Sequence, residues 1–350
     1  MDALIQHVEN GAELSPREID VAAEMLLDET VCDEKKARFL KALTKKGETA
    51  AEIAGFVEAF LERAVDPGVK GMVFDGPTID VCGTGGDKLN LFNVSTTSMF
   101  VIAAGGAVVV KHGNRGITSK SGGADVLEAL GVNLEISPEG FRECLKQVGV
   151  GFLFAPAYHP AFKAIASVRG ELAKQGVRTI FNLIGPLLNP ARPECQLVGV
   201  CEADLDATYA DILQRLGRDS AWVVHGNTAD GGPVDEVSLM GQTRICKAGR
   251  YQSLVDEVVS PEDFGMSRCS VESLVGGDAE VNAAILEDIL SGKETGPKRE
   301  MVILNAAAGL ACAGLADTIG GGVEMARGLI DSGQALARLR KLQEVCQSTS

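Results

Sequence analysis

The stretch Asp80-Val81-Cys82-Gly83-Thr84-Gly85-Gly86-Asp87, followed by Asn93-Val94-Ser95-Thr96, decides how this chain is read. Ile79 to Cys82 has the apolar character of a short buried strand. A glycine-rich loop ending in an aspartate follows, and Asn93 to Thr97 has the composition of a helix start. Glycine lets backbone N–H groups approach a polyanion closely. Amide and hydroxyl side chains at a helix N-terminus add donors where the helix dipole already favours negative charge. The loop therefore reads as a phosphate cradle, with an ordinary tight turn as the plain alternative. It has neither the spacing of a dinucleotide fingerprint nor the Lys-Ser/Thr ending of a P-loop.

The bulk properties narrow the setting. A chain of 350 residues with 45% hydrophobic content can build one large domain or two unequal ones. A formal net charge of −15 argues against nucleic acid and anionic membrane as partners. An anion must then be held locally by amides and a few Lys/Arg, and a metal cation could help. Nine cysteines without CxxC pairs read as reduced core thiols of a cytoplasmic protein. The start, Met1-Asp2-Ala3-Leu4, carries no basic, apolar leader, and no apolar run is long enough to span a bilayer.

Downstream of the glycine loop the pattern alternates between strand and helix. Apolar runs at 79–82, 107–110, 151–154, 197–201 and 221–224 are separated by helical stretches at 95–104, 124–130, 140–148, 161–173 and 207–216. Such alternation predicts an α/β fold with a mostly parallel central sheet and ligands at the carboxyl ends of its strands. Residues 246–254 read as an edge hairpin, and 281–290, 301–313 and 323–345 as helices. Upstream, residues 1–70 read as a small all-helical domain. Ser15-Pro16-Arg17-Glu18 and Thr49-Ala50-Ala51-Glu52 are capping boxes. Ile53, Phe56, Val57, Phe60 and Leu61 form an apolar stripe. So small a unit needs more surface to pack on. Segments near 160–190, and also 330–345, are candidates to complete it, leaving 75–350 as the α/β domain.

Three further constellations carry chemistry. Lys111-His112-Gly113-Asn114-Arg115, continuing to Ser119 and Ser121, is a donor-rich loop after a core strand and suits phosphates. Arg169 lies on a mostly apolar helix, where it either snorkels or offers a planar fork to a small carboxylate. Gly185-Pro186 and Asn189-Pro190 suggest a rigid wall nearby, and His159 before Pro160 reads as structural rather than as a base. Asp235-Glu236 follows a strand segment, and adjacent carboxylates suit Mg²⁺, which takes a few protein oxygens plus substrate phosphates. No nucleophile-elbow spacing is present.

Taken in order, these motifs resemble the anthranilate phosphoribosyltransferase family. The likeness includes the Lys46-Gly47-Glu48-Thr49 junction, Ser121 to Gly131 and Arg178 to Pro186, and runs over nearly the whole chain. The resemblance implies a nucleoside phosphorylase-like fold, with a helical domain that pairs two copies as a homodimer. It implies Mg²⁺-dependent transfer of phosphoribosyl from phosphoribosyl pyrophosphate to the amino group of anthranilate in tryptophan biosynthesis. Carried over by position, Gly83, Gly86, Asp87, Asn93, Ser95, Thr96, Lys111 and Ser119 are the phosphoribosyl pyrophosphate site. Ser95, Asp235 and Glu236 are the metal ligands. Gly83, Asn114, Arg169, His112 and His159 face anthranilate, while Lys111 and Arg115 stabilise the leaving pyrophosphate.

The chain departs from the family pattern at Leu91, where Thr is usual, and at Gly123, where Ser or Thr is usual. Insertions are read at Ala173-Lys174-Gln175 and Thr228 to Pro233. These departures leave room for a paralogue that uses another aromatic acceptor. A pyrimidine nucleoside phosphorylase-like enzyme would share the fold and the glycine-rich loop, and so would a non-catalytic relative that binds nucleic acid.

Overall fold

Both capping boxes form. Ser15 accepts from the Glu18 amide and Thr49 from the Glu52 amide, and each Glu reaches back to the cap backbone. They start α2 (Pro16–Leu27) and α4 (Ala50–Leu61), which with α1 (Asp2–Glu9) and α3 (Asp33–Lys46) make the N-terminal helical layer. The structure, a computed structural model, describes residues 1–116, 120–250 and 252–348.

The helical layer is not closed by its own residues. α9 (Lys163–Lys174) packs on α2 and α3, and the helical core takes in Ile165, Val168, Leu172, Ile180 and Phe181. Phe60 sits at the centre of this joint. Its ring lies 5.2 Å from Phe162 and 5.5 Å from Phe181, centroid to centroid. Full burial of one such side chain is worth about 1.5–3 kcal/mol. Residues 330–345 go elsewhere. They lie in α13 (Ile319–Asp331) and α14 (Gln334–Ser348), and α14 packs on α5 (Val94–Ala104) and α7 (Pro138–Val148) of the α/β layer. The single helix expected over 323–345 is broken at Gly333, whose φ of +75° a side chain would resist.

The strands are β1 (Thr78–Gly83), β2 (Val108–Gly113), β3 (Val150–Phe154), β4 (Cys195–Gly199), β5 (Ser220–Asn227), β6 (Pro233–Val234), β7 (Thr243–Gly249) and β8 (Gln252–Val259). They lie in the order β3-β2-β1-β4-β5-β7-β8, with β6 beside β5. Pairings among β1 to β5 are parallel, and those of β6, β7 and β8 antiparallel. The chain runs from β1 outward to β3, then returns to place β4 on the other side of β1. That reversal opens a crevice at the carboxyl ends of β1 and β4, where ligands of such sheets bind.

Strand alternation gives the two faces different coats. Val81, Val109, Leu197 and Val224 share one core with α5, α12 (Pro297–Cys312), α13 and α14. Val198, Ala221 and Val223 share the other with the helical layer and α10 (Leu205–Arg215). No helix among the described residues is long and apolar enough to cross a membrane.

Candidate active site

The glycines of the opening motif are needed because a distant acidic loop crosses over them. A Cβ on Gly83 would lie 2.3 Å from Asp235 Oδ2, and one on Gly199 only 1.7 Å from the Asp235 carbonyl oxygen. The Gly85 amide donates to Asp235 Oδ2 at 2.7 Å. Gly85 and Gly86 have φ of +68° and +99°, which turns the loop back over the strand end. Asp87 caps the turn by accepting from the Leu89 amide at 3.0 Å. The acidic loop is clamped from behind by Asn305 on α12, whose Oδ1 and Nδ2 bond the Val237 amide and carbonyl at 2.9 Å each.

Three carboxyls converge there. Burial, and then the Asp87 charge, push Asp235 up to about 6. Burial likewise raises Asp87, which is within hydrogen-bond reach of Asp235. Burial and the Asp235 charge raise Glu236 well above the usual carboxylate range, with Lys111 and the Ser95 amide opposing. Three carboxyls against one lysine leave negative charge uncompensated, and a divalent cation fits that need. Among the described residues no group of three or more His, Cys, Asp or Glu could hold a metal by itself. A Mg²⁺ here would therefore draw on a few protein oxygens, from Asp235, Glu236 and Ser95, and fill its shell with water and phosphate.

Lys111 stands at the same place from the other strand. It is 4% exposed and donates to the Val81 carbonyl and, at 3.2 Å, to Ser95 Oγ. Thr96 is buried beside it, and a Cβ on Gly123 would come 2.8 Å from Thr96 Oγ1. Asn93 does not cap α5. Its side chain instead donates to the Ser121 carbonyl at 3.2 Å and accepts from Asn282 Nδ2 at 2.8 Å. Arg115 is turned outward, paired with Glu128 at 2.6 Å and stacked 4.5 Å from the Phe154 ring centre. Ser119 lies outside the described residues.

A cavity of about 490 Å³ opens on the other side of Gly83. Its walls include Gly83, His112, Asn114, His159, Arg169 and Phe181. Alternation along β2 explains the division: Lys111 faces α5, and His112, the next residue, faces this cavity. Arg169 projects from α9 with its guanidinium 5.2 Å from the Phe181 ring centre, and burial lowers its pKa. No carboxylate among the described residues pairs with it. A half-buried, unneutralised guanidinium over an aromatic face suits a planar carboxylate. His112 is held neutral: burial, then His159, lower it to about 3. The wall behind is tied by Asn189, whose Nδ2 donates to buried Asp80 at 2.9 Å and to the Val110 carbonyl at 2.7 Å.

The glycine loop, Lys111, Asp235 and Glu236 thus meet in one crevice, and Gly83 joins it to the cavity of Asn114, His112, His159 and Arg169. Sequence reasoning gave no role to the amide side chains of Asn189, Asn282 and Asn305. Asn305 alone carried a signal, as an amide within the apolar run Met301 to Cys312.

Residues 2–64 match the glycosyl transferase family, helical bundle domain, and residues 75–336 the glycosyl transferase family, a/b domain. The chain is 46% identical over 330 residues to an anthranilate phosphoribosyltransferase of Chloroflexus aggregans, covering 94% of each chain. The crystal structure of the Thermus thermophilus anthranilate phosphoribosyltransferase superposes with a TM-score of 0.89 at 39% identity, over 98% of this chain and 99% of that one. The Saccharomyces cerevisiae enzyme in complex with phosphoribosyl pyrophosphate and Mg superposes with a TM-score of 0.83 at 25% identity, over 99% of this chain and 98% of that one.

Proposed function

Since the chain belongs to the anthranilate phosphoribosyltransferase family, we propose how its own residues share the work of that reaction. The activity is transfer of phosphoribosyl from phosphoribosyl pyrophosphate to the amino group of anthranilate, releasing pyrophosphate, a step of tryptophan biosynthesis. The observation that carries the assignment is the meeting of the two subsites at Gly83, with the acidic loop on one side and the Arg169 cavity on the other.

In this reading the loop amides of Gly83 to Asp87, with Asn93, Ser95, Thr96 and Lys111, take the phosphoribosyl pyrophosphate. Lys111 is already desolvated and fixed, so its charge stabilises the departing pyrophosphate without reorganisation. Asp235, Glu236 and Ser95 hold Mg²⁺, which when bound neutralises charge building on the pyrophosphate oxygens. Arg115 must leave Glu128 to reach a phosphate; the pair is exposed and costs little to break. Ser119 is assigned to the same substrate. Arg169 takes the anthranilate carboxylate at a distance from the chemistry, and Asn114 and His112 line the ring. The arylamine is neutral near pH 7, so holding it over the anomeric carbon supplies much of the acceleration.

Two copies pair through the outer face of α1 and α3, in this reading. An open groove of about 840 Å³ runs there, lined by Val8, Ala37, Arg38, Lys41 and Ala42 among others. Nine free thiols support residence in the reducing cytoplasm. Sedimentation velocity checks the dimer, and Ala37→Glu is expected to yield monomer.

Loss of anthranilate fluorescence tests the reaction, with phosphoribosyl pyrophosphate and Mg²⁺ added singly and together. Turnover is expected only with both. The meta and para aminobenzoates are expected to react far more slowly, because a carboxylate seated on Arg169 then carries the amine off line. Faster use of either isomer would replace anthranilate as the acceptor.

A further inference from the structure

The reaction releases a proton that the residues placed so far do not receive. The arylamine nitrogen forms a bond to the anomeric carbon as the carbon–oxygen bond to pyrophosphate breaks, and that electron pair leaves with pyrophosphate. The nitrogen is then a secondary anilinium with one proton more than the neutral product. Some acceptor close to the cavity must take it.

The cavity wall offers few candidates. Cys82 is kept as the thiol, because burial and then Asp80 push it up. Lys163 and Arg169 present hydrogen-bond donors and no acceptor. The carboxylate of the substrate is engaged by Arg169, which lowers its basicity. The neutral imidazoles of His112 and His159 remain. Neither ring nitrogen of His112 hydrogen-bonds to a described residue, and its Nε2 is fully enclosed, so no partner selects its tautomer.

His159 differs. Its Nε2 lies 2.8 Å from the Leu188 carbonyl oxygen. A carbonyl can only accept, so Nε2 carries the hydrogen and Nδ1 of the neutral ring is a lone pair. No described residue donates to that lone pair. The ring is 6% exposed and held between His112, edge to face at 5.4 Å, and Phe162 at 5.3 Å. Its plane and tautomer are therefore set before any substrate arrives.

We infer that His159 is the proton acceptor of the transfer: Nδ1 takes the surplus proton of the arylamine, and the Leu188 carbonyl steadies the imidazolium that forms. The proton later passes to water through the open mouth of the cavity. Burial lowers the pKa of His159, which keeps the ring in the accepting form at neutral pH. A weak base suffices, since an N-alkylated anilinium is a far stronger acid than an alkylammonium. This inference rests on the function proposed above.

The test compares full-length wild type, His159→Gln and His159→Gly with anthranilate, phosphoribosyl pyrophosphate and Mg²⁺. Gln retains an amide donor for Leu188 but no basic nitrogen. We expect its kcat to fall about a hundredfold, far more than any change in anthranilate affinity, with the phosphoribosyl pyrophosphate KM unchanged. Added imidazole should restore turnover to His159→Gly in proportion to its neutral fraction. A His159→Gln enzyme with wild-type kcat would overturn the inference. So would a His159→Gly enzyme that binds anthranilate but is indifferent to imidazole. Absence of turnover in the wild type would instead defeat the functional reading itself.

Discussion

At the carboxyl ends of β1 and β2, the pyrophosphate side and the acceptor side of the crevice handle charge in opposite ways. On the first, Asp87, Asp235 and Glu236 crowd together, with Lys111 opposing only at Glu236, and each acid is pushed up by burial. On the second, one guanidinium has no carboxylate partner among the described residues, and both imidazoles are pushed down and held neutral. The first side stores a deficit of positive charge and the second a deficit of negative charge. In the proposed reading the substrates would supply what each lacks: a magnesium-bearing diphosphate on one side and a small carboxylate on the other. The lesson is that specificity here lies in incomplete electrostatics, which the protein tolerates at a cost in stability until its substrates bind.

The comparison can be broken most directly at the acids. Asp235→Asn with Glu236→Gln should lower kcat/KM by about 10²–10³-fold and flatten its dependence on Mg²⁺. Steady-state rates across a Mg²⁺ titration check this, and a preserved Mg²⁺ optimum would remove these residues from the metal site.

The next effect is on stability without metal. Asp235 sits at about 6 against an ordinary 3.8. Because the folded value is raised, its stabilising contribution is present below pH 4 and is lost as pH rises through about 6. The loss amounts to about 3 kcal/mol. In Mg²⁺-free buffer Asp235→Asn should therefore gain on wild type as pH climbs from 4 to 7, by urea denaturation. Mg²⁺ with phosphoribosyl pyrophosphate should narrow the gap.

On the other side, Arg169→Ala should raise the anthranilate KM by about 10- to 100-fold, the worth of a hydrogen bond to a charged group. The phosphoribosyl pyrophosphate KM should hold. Equal changes in both constants would mean that the two sides are not separate. The smallest effect is expected at Gly123→Ser. Its Cβ would press on Thr96 at 2.8 Å, and overpacking of this kind costs about 1–3 kcal/mol. The phosphoribosyl pyrophosphate KM should rise a few-fold and the anthranilate KM should not move.

Much of this molecule is legible from local pattern. The capping boxes, the β/α alternation and the glycine turn after β1 all follow from residues within a few positions of one another. What those signals lack is partners. Asn93 looks like a cap, yet its side chain is spent on Ser121 and Asn282. Residues 330–345 look like any apolar helix, and packing sends them to α5 and α7 rather than to the helical layer. His159 reads as a structural residue beside a proline until the Leu188 carbonyl settles its tautomer.

The amino-acid order alone determined the class of fold, the positions of the glycine-rich turns and the kinds of group available for chemistry. Periodicity, turn residues and side-chain type are properties of neighbours in the chain. Only the tertiary structure decided that β4 lies beside β1 and that the Asp235 loop crosses two glycines. It also decided that Lys111 and His112 part to opposite faces. Those outcomes depend on contacts such as Gly85 with Asp235, 150 residues apart. Their geometry comes from packing two layers against one sheet, which no local window of sequence encodes.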